Sequence, residues 1–238
     1  MAEQIRNTIE GFLSQSAVFS IAISILGYQI GCFAKKKLKL AIVNPLLIAL
    51  IFVIACLLLL RVDYETYKKG ALPLGYLLTP ATVCLAVPLY SQLDELRRRW
   101  KAVAAGIVAG TLANLACIFL LALLFNFSHI QYVTLLPKSV TSAIGIAISG
   151  EFGGIESVTV AAIILTGIFG NMAAEYILRA ARVTDPAARG LAFGVGSHAI
   201  GTARALELGE TEGATASLAI VLTGFLTVAL MPLFSLLI

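Results

Sequence analysis

The chain alternates between long apolar runs and short polar stretches. A helix needs about 20 residues to cross the hydrocarbon core of a bilayer, and six of the runs are long enough to cross comfortably. Two others, which begin at Tyr132 and Leu191, are short and rich in Gly, Ser and Thr. The runs are Phe12–Phe33, Leu40–Leu60, Ala71–Gln92, Ala102–Phe125, Tyr132–Ser149, Ile155–Leu178, Leu191–Leu206 and Ala214–Leu237. They predict an all-α polytopic membrane protein with about eight membrane segments, some broken or re-entrant.

Composition supports a membrane protein and argues against the main soluble classes. Of the 238 residues, 59% are hydrophobic and 13% charged, with a mean hydropathy of +0.95, whereas about a quarter of an ordinary soluble domain is charged. The net charge of +4 lies mostly in short loops, where it can set orientation in the membrane, and it does not indicate nucleic-acid binding. The sequence lacks a phosphate-binding loop, metal-ligand spacing and a Gly-x-Ser-x-Gly elbow. We therefore expect no enzyme, cofactor or metal, and a single domain over residues 1–238.

The distribution of basic residues predicts a re-entrant segment. Short cationic loops stay in the cytoplasm, which places the cluster around Lys35–Lys37 inside. If every later segment crossed once, Arg179, Arg182 and Arg189 would lie outside. A re-entrant segment from about Pro137 to Gly154 returns them to the cytoplasm.

The chain also contains a candidate internal repeat. Nine residues between Leu78 and Asn114 recur 57 positions later, between Leu135 and Asn171. The repeat units would be residues 78–125 and 135–182. Transporters are often built from repeats whose broken helices meet at a midplane site, and the sequence leaves open whether these copies are parallel or inverted.

The stretch Gly194–Glu207 concentrates polar groups and glycines within an apolar chain. Ionisable groups in a membrane segment usually face a partner, a cavity or a transport path, and an unwound segment is tolerated only where protein or water surrounds it. We interpret the stretch as a broken or re-entrant helix. Arg can hold a carboxylate and His can carry a proton, so the candidate substrate-binding residues here are Ser197, His198, Thr202 and Arg204.

A second polar stretch, Pro137–Ser142, places a proline, a lysine and three hydroxyls at a predicted membrane boundary. Pro favours the start of a helix, and free N–H groups there favour an anion. Ser139 and Thr141, with Thr82 from the first repeat, are expected to complete the site. Asn171 is also a candidate, although asparagines within segments can instead bond between helices.

Structural roles compete with these assignments. Arg204 can pair with Glu207 three residues later, and Ser197 can cap a helix while His198 is a satisfied core residue. Lys138 can extend to the lipid headgroups. Glu175, inside an apolar run, has Arg179 as its expected partner at i+4.

Several of these motifs strongly resemble the LrgB/CidB family of membrane proteins. The resemblance rests on the run from Asp185 through Glu207, on Pro137–Thr141, on Gly153–Ile155, on Pro80–Val83 with Ala86–Tyr90, and on Tyr64–Tyr67. It covers nearly the whole chain from about Asn44 onward.

The resemblance implies two kinds of function. The family was named for holin-like and antiholin-like roles in bacterial lysis and murein hydrolase control, whereas a plant relative carries glycolate and glycerate and some bacterial members are associated with pyruvate uptake. Our leading expectation is a secondary carrier of small 2-hydroxy or 2-oxo monocarboxylates, proton-coupled and located in the bacterial cytoplasmic membrane. The alternative is a holin-like or antiholin-like regulator. A small LrgA/CidA-like membrane partner and a homo-oligomer are also expected.

Overall fold

The computed structural model describes residues 17–38, 44–84 and 86–238. These form two compact units, one up to Cys84 and one from Leu85 onward. The ordered elements in the described ranges are all helices, so the prediction of an all-α membrane protein is confirmed. The single-domain assignment over the whole chain stays a prediction.

The first unit is built around two apolar helices. Helix α1 spans Ala17–Leu38 and α2 spans Pro45–Leu60, and Gly27 and Gly31 allow the backbone of α2 to approach α1 closely. Asn44 caps α2 by accepting the Leu46 N–H at 2.8 Å. A bend of 119° leads into α3. The remaining short helices of this unit are α3 (Tyr64–Gly70), α4 (Leu72–Tyr76) and α5 (Leu78–Cys84).

The second unit contains three long helices and a set of shorter or interrupted ones. The long helices are α8 (Trp100–Phe125), α11 (Glu156–Ala180) and α13 (Glu210–Ser235). The interrupted helix α12 (Pro186–Leu208) packs against all three. The others are α6 (Ala86–Ser91), α7 (Leu93–Arg98), α9 (His129–Leu135) and α10 (Ser142–Glu151).

The expected eight membrane segments are not confirmed. Within the described ranges, four helices are long and apolar enough to cross a membrane, namely α1, α8, α11 and α13, and the bent pair α2–α3 gives at most a fifth. The run Ala71–Gln92 is divided among short helices α4, α5 and α6. Pro73, Pro80 and Pro88 explain this, because proline lacks the N–H that continues a helix. The starts of two predicted segments, at Phe12 and Leu40, lie outside the described residues.

The core of the second unit lies where the long helices meet the short ones. A buried cluster joins Leu115 and Ile118 of α8 to Tyr132 of α9 and Met231 of α13. The Tyr132 hydroxyl donates to the Phe234 carbonyl at 3.0 Å, which satisfies its polar end. This packing fixes α9 and α10 against the long helices. The predicted repeat of residues 78–125 and 135–182 stays a prediction.

Candidate functional site

Helix α12 is interrupted at its centre, as predicted for the stretch Gly194–Glu207. Ser197 has φ −130° and ψ 15°, and His198 has φ 42° and ψ −136°. Gly201 then packs against the carbonyl of Phe193, such that an added Cβ would lie 2.5 Å from that oxygen. In a straight helix these residues would be about 12 Å apart along the axis. The second half of α12 therefore folds back on the first, and the helix is a hairpin with its tip at Ser197 and His198.

The tip of α12 is held in the middle of α11. The buried His198 side chain donates from Nε2 to the Ile163 carbonyl at 2.9 Å. Gly167 and Gly170 of α11 leave room for the tip, because an added Cβ would lie 2.7 Å from His198 Cε1 at Gly167 and would overlap the Ser197 side chain at Gly170. These two glycines were not among the predicted site residues, although small residues in an apolar helix are a known signal of close helix packing.

Two asparagines hold the hairpin on either side of its tip. Asn114 of α8 donates to the Val195 carbonyl at 3.0 Å, and Asn171 of α11 donates to the Ile200 carbonyl at 3.2 Å. A helix break removes partners from nearby backbone groups, and side chains can satisfy them. The Asn171 amide, which was expected to bind substrate, therefore makes a structural hydrogen bond to the backbone of α12.

The second predicted polar stretch forms the turn between α9 and α10. Ser139 is buried in this turn and accepts a hydrogen bond from Lys138 Nζ at 2.9 Å. Thr141 is the N-cap residue of α10, but its side chain makes no capping bond. Ile163 of α11, whose carbonyl accepts the His198 hydrogen bond, also has its Cδ1 against Gly145 near the start of α10. The turn that carries Ser139 and Thr141 therefore leads into a helix that packs on the same residue of α11 as the α12 tip, whereas the side chain of Thr82 lies outside the described residues.

Thr202 is fully buried in the second half of α12, and its hydroxyl has no hydrogen-bond partner within the part of the chain that the structure describes. Thr223 of α13 shares this property. Both are small enough to be tolerated in a packed apolar core, at the cost of an unsatisfied hydroxyl.

Arg204 lies far from the tip, near the end of the hairpin. Its guanidinium pairs with Glu175 at 2.8 Å and with Glu207 at 2.5 Å, and Glu175 also pairs with Arg179 at 2.5 Å. The pairs Arg204–Glu207 and Glu175–Arg179 were the structural alternatives weighed from the sequence. Arg204 is thus occupied by two carboxylates and does not share one small site with His198 in this structure.

Comparison with known proteins identifies the family of this chain. The model of the LrgB-like family matches residues 24–237. The chain belongs to the LrgB-like family. Holin-like protein CidB of Staphylococcus epidermidis is 36% identical over 221 residues, covering 93% of this chain and 96% of that protein. Antiholin-like protein LrgB of Bacillus subtilis (strain 168) is 34% identical over 222 residues, with the same coverage of each chain. No solved structure matches.

The comparisons correct the leading functional expectation. A secondary carrier of small monocarboxylates was expected first, but the relatives over nearly the whole chain are named holin-like and antiholin-like proteins. That expectation is wrong, and the regulator held as the alternative agrees with the findings. The chemical argument for a carrier depended on Arg204 being free to bind a carboxylate, and the ion pairs of Arg204 with Glu175 and Glu207 do not favour this. The family and the apolar helices make this a bacterial multi-pass membrane protein.

Proposed function

We propose that this protein is a holin-like or antiholin-like regulator that controls murein hydrolase activity and cell lysis from the bacterial cytoplasmic membrane. The observation that carries the proposal is the 34–36% identity, over 93% of the chain, to proteins named in this way. The long helices are consistent with it, since large apolar side chains such as Leu124, Phe169 and Phe225 lie exposed on their outer faces. Apolar faces of this kind can contact lipid or another membrane helix.

The test is a lysis assay in a bacterial strain that lacks its own LrgB-like proteins. Wild-type protein and empty vector would be compared by the rate of turbidity loss after autolysis is triggered, and by murein hydrolase activity in zymograms. Faster lysis indicates a holin-like role and slower lysis an antiholin-like role. Unchanged lysis and hydrolase activity, with wild-type protein present in the membrane, would contradict the proposal.

Two glycine variants provide a test and its matched control in the same assay. Gly170→Ala places a methyl group against the α12 tip, whereas an added Cβ at Gly196 meets nothing within 4 Å. At equal membrane levels, Gly196→Ala should retain the effect on lysis and Gly170→Ala should reduce it. This comparison ties the effect to the geometry of the hairpin.

We also propose that regulation involves a small LrgA/CidA-like membrane protein and self-association. Co-expression with such a partner should alter the lysis rate beyond the effect of either protein alone. Co-purification in mild detergent and cross-linking in membranes would measure both associations. If the protein acts alone and as a monomer, it will neither co-purify with the partner nor cross-link to itself.

A further inference from the structure

The α9–α10 segment and the α12 hairpin both bring a glycine back to a carbonyl eight residues earlier. In α12, Gly201 packs against the carbonyl of Phe193. In the α9–α10 segment, Gly145 packs against the carbonyl of Pro137, with an added Cβ 3.5 Å from the oxygen. Each glycine follows its carbonyl by eight positions (145 minus 137 and 201 minus 193). Both segments therefore fold back on themselves around a short turn.

Each hairpin contacts the long helix that follows the other hairpin. An added Cβ at Gly167 of α11 would lie 2.7 Å from Cδ1 of Ile200 in the α12 hairpin. An added Cβ at Gly224 of α13 would lie 2.8 Å from Cδ1 of Ile144 in the α9–α10 hairpin. Each long helix thus receives the isoleucine of the other helix's hairpin. Such an exchange is expected when two equivalent units pack around a shared pseudo-two-fold axis.

The sequences of the contacting segments match at nearly the same spacing. Ser142–Ala147 reads Ser-Ala-Ile-Gly-Ile-Ala, and His198–Ala203 reads His-Ala-Ile-Gly-Thr-Ala. Ala162–Gly167 reads Ala-Ile-Ile-Leu-Thr-Gly, and Ala219–Gly224 reads Ala-Ile-Val-Leu-Thr-Gly. The displacement is 56 positions for the first pair (198 minus 142) and 57 for the second (219 minus 162). Apolar sequences match by chance, but these matches include the residues that make the reciprocal contacts.

The hairpins approach α11 from opposite ends. Near the start of α11, the Thr159 hydroxyl donates to the Thr134 carbonyl of α9 at 2.8 Å. Near its end, Glu175 pairs with Arg204 of α12. Both hairpins contact Ile163 in the first half of α11, which accepts the His198 hydrogen bond and whose Cδ1 lies over Gly145. Because α11 has 25 residues, its two ends are about 36 Å apart, which is enough to place them at opposite faces of a membrane.

We propose that residues 129–180 and 186–235 are two inverted copies of one unit, a re-entrant helical hairpin followed by a membrane-spanning helix. The two hairpins then enter the second unit from opposite faces of the membrane, and both pack on Ile163 of α11. Discontinuous helices near the bilayer midplane are a known feature of membrane proteins built from inverted repeats.

The test determines on which face the ends of each hairpin lie. Four single-cysteine variants would be made in a parent in which Cys32, Cys56, Cys84 and Cys117 are replaced by serine. His129→Cys and Glu151→Cys mark the ends of the α9–α10 hairpin, and Thr184→Cys and Glu210→Cys mark those of the α12 hairpin; all four positions are exposed. A membrane-impermeant maleimide would be applied to right-side-out and inside-out vesicles. Equal labelling in detergent controls for intrinsic reactivity.

The inference requires His129 and Glu151 to be labelled from one face, and Thr184 and Glu210 both from the other. Labelling of Thr184 and Glu210 from different faces would mean that α12 crosses the membrane, and would overturn the proposal. Labelling of all four positions from one face would overturn the inverted relation. The labelling experiment and the lysis assay are independent. Labelling can overturn the inverted hairpins while the proposed regulator stands, and the lysis assay can overturn the regulator while the inverted hairpins stand.

Discussion

His198 donates a 2.9 Å hydrogen bond from Nε2 to the backbone carbonyl of Ile163, 35 residues earlier in the chain. This bond joins the tip of the α12 hairpin to the middle of α11. His198 also has a positive φ of 42°, a conformation that costs a residue with a side chain about 1–3 kcal/mol unless the surroundings impose it. The position therefore combines a favourable side-chain bond with an unfavourable backbone conformation.

The two contributions at His198 can be separated by substitution. His198→Ala loses the hydrogen bond and keeps the strained backbone, and should lower the free energy of unfolding by about 1 kcal/mol or more. His198→Gly loses the same bond but relieves the strain, so it should be more stable than His198→Ala. Thermal unfolding in detergent would measure both. His129→Ala, which loses an exposed 2.6 Å hydrogen bond to the Ile238 carbonyl, serves as the surface comparison for loss of a histidine. Equal stability of the Gly and Ala variants at position 198 would contradict the strain.

Substitution by alanine should have different effects on stability at Gly170 and at Gly196. At Gly170 a methyl group would overlap the Ser197 side chain, whereas at Gly196 it meets nothing within 4 Å. Inserting a methyl group into a packed interior costs about 1–3 kcal/mol, so Gly170→Ala should lower the unfolding midpoint. Gly196→Ala should leave it unchanged or raise it slightly, because alanine restricts the unfolded chain. Similar losses in both variants would show that the hairpin tip does not pack as described.

The sequence predicts the local features of this site better than its long-range pairings. Glycines and polar residues in the stretch Gly194–Glu207 indicate a break, and the structure has one at Ser197 and His198. The i,i+3 pair of Arg204 and Glu207 also follows from helical spacing alone. The pairing of Arg204 with Glu175, 29 residues apart, depends on how α11 and α12 pack, which no local pattern contains.

The same limit explains the error in counting segments. Mean hydropathy detects apolar runs such as Ala71–Gln92, but it does not distinguish one crossing helix from several short ones. Prolines within such a run are the available signal, since each removes a helical hydrogen bond. The functional expectation was wrong because the relatives are named holin-like and antiholin-like proteins. His198 and Arg204 near one break suggested an anion site, and the sequence alone does not show that Arg204 pairs with Glu175.

The ion pairs of Arg204 and Arg179 should differ in strength although they share Glu175. Arg204 has 27% of its side chain exposed and Arg179 has 73%. Charge-assisted hydrogen bonds away from water are worth about 1.5–3 kcal/mol, whereas exposed pairs are worth about 0–1 kcal/mol and weaken in salt. Arg204→Gln should therefore destabilise the protein more than Arg179→Gln.

Unfolding at low and high salt would check this difference. The effect of Arg204→Gln should change little between the two conditions, while the smaller effect of Arg179→Gln should shrink at high salt. Arg204→Lys keeps the charge but loses the planar fork, and should fall between wild type and Arg204→Gln. If the two glutamine variants were equally destabilised at both salt concentrations, burial would not distinguish the pairs.

Asp185, in the loop before α12, should make stability depend on pH. It accepts the Ala188 N–H at 3.0 Å and pairs with Arg99 at 2.6 Å. The backbone N–H of Ala188, followed by the Arg99 guanidinium, lowers the pKa of Asp185 below its ordinary value of 3.8. Because the pKa is lowered by folding, the charged carboxylate stabilises the folded state above about pH 3.8, and this contribution is lost as the pH falls through the lowered pKa.

Asp185→Asn tests the sign of this dependence. The amide can still accept the Ala188 N–H but carries no charge, so the variant should unfold at a lower temperature than wild type at neutral pH. The difference should narrow as the pH is reduced below 3.8, because the wild-type carboxyl then becomes neutral as well. Arg99→Gln removes the ion pair but leaves the Asp185 carboxylate bound to the Ala188 N–H. At neutral pH it should therefore lower the unfolding temperature less than Asp185→Asn does. A difference that widened in acid would mean that folding raises the pKa of Asp185, contrary to the two contacts that hold its carboxylate.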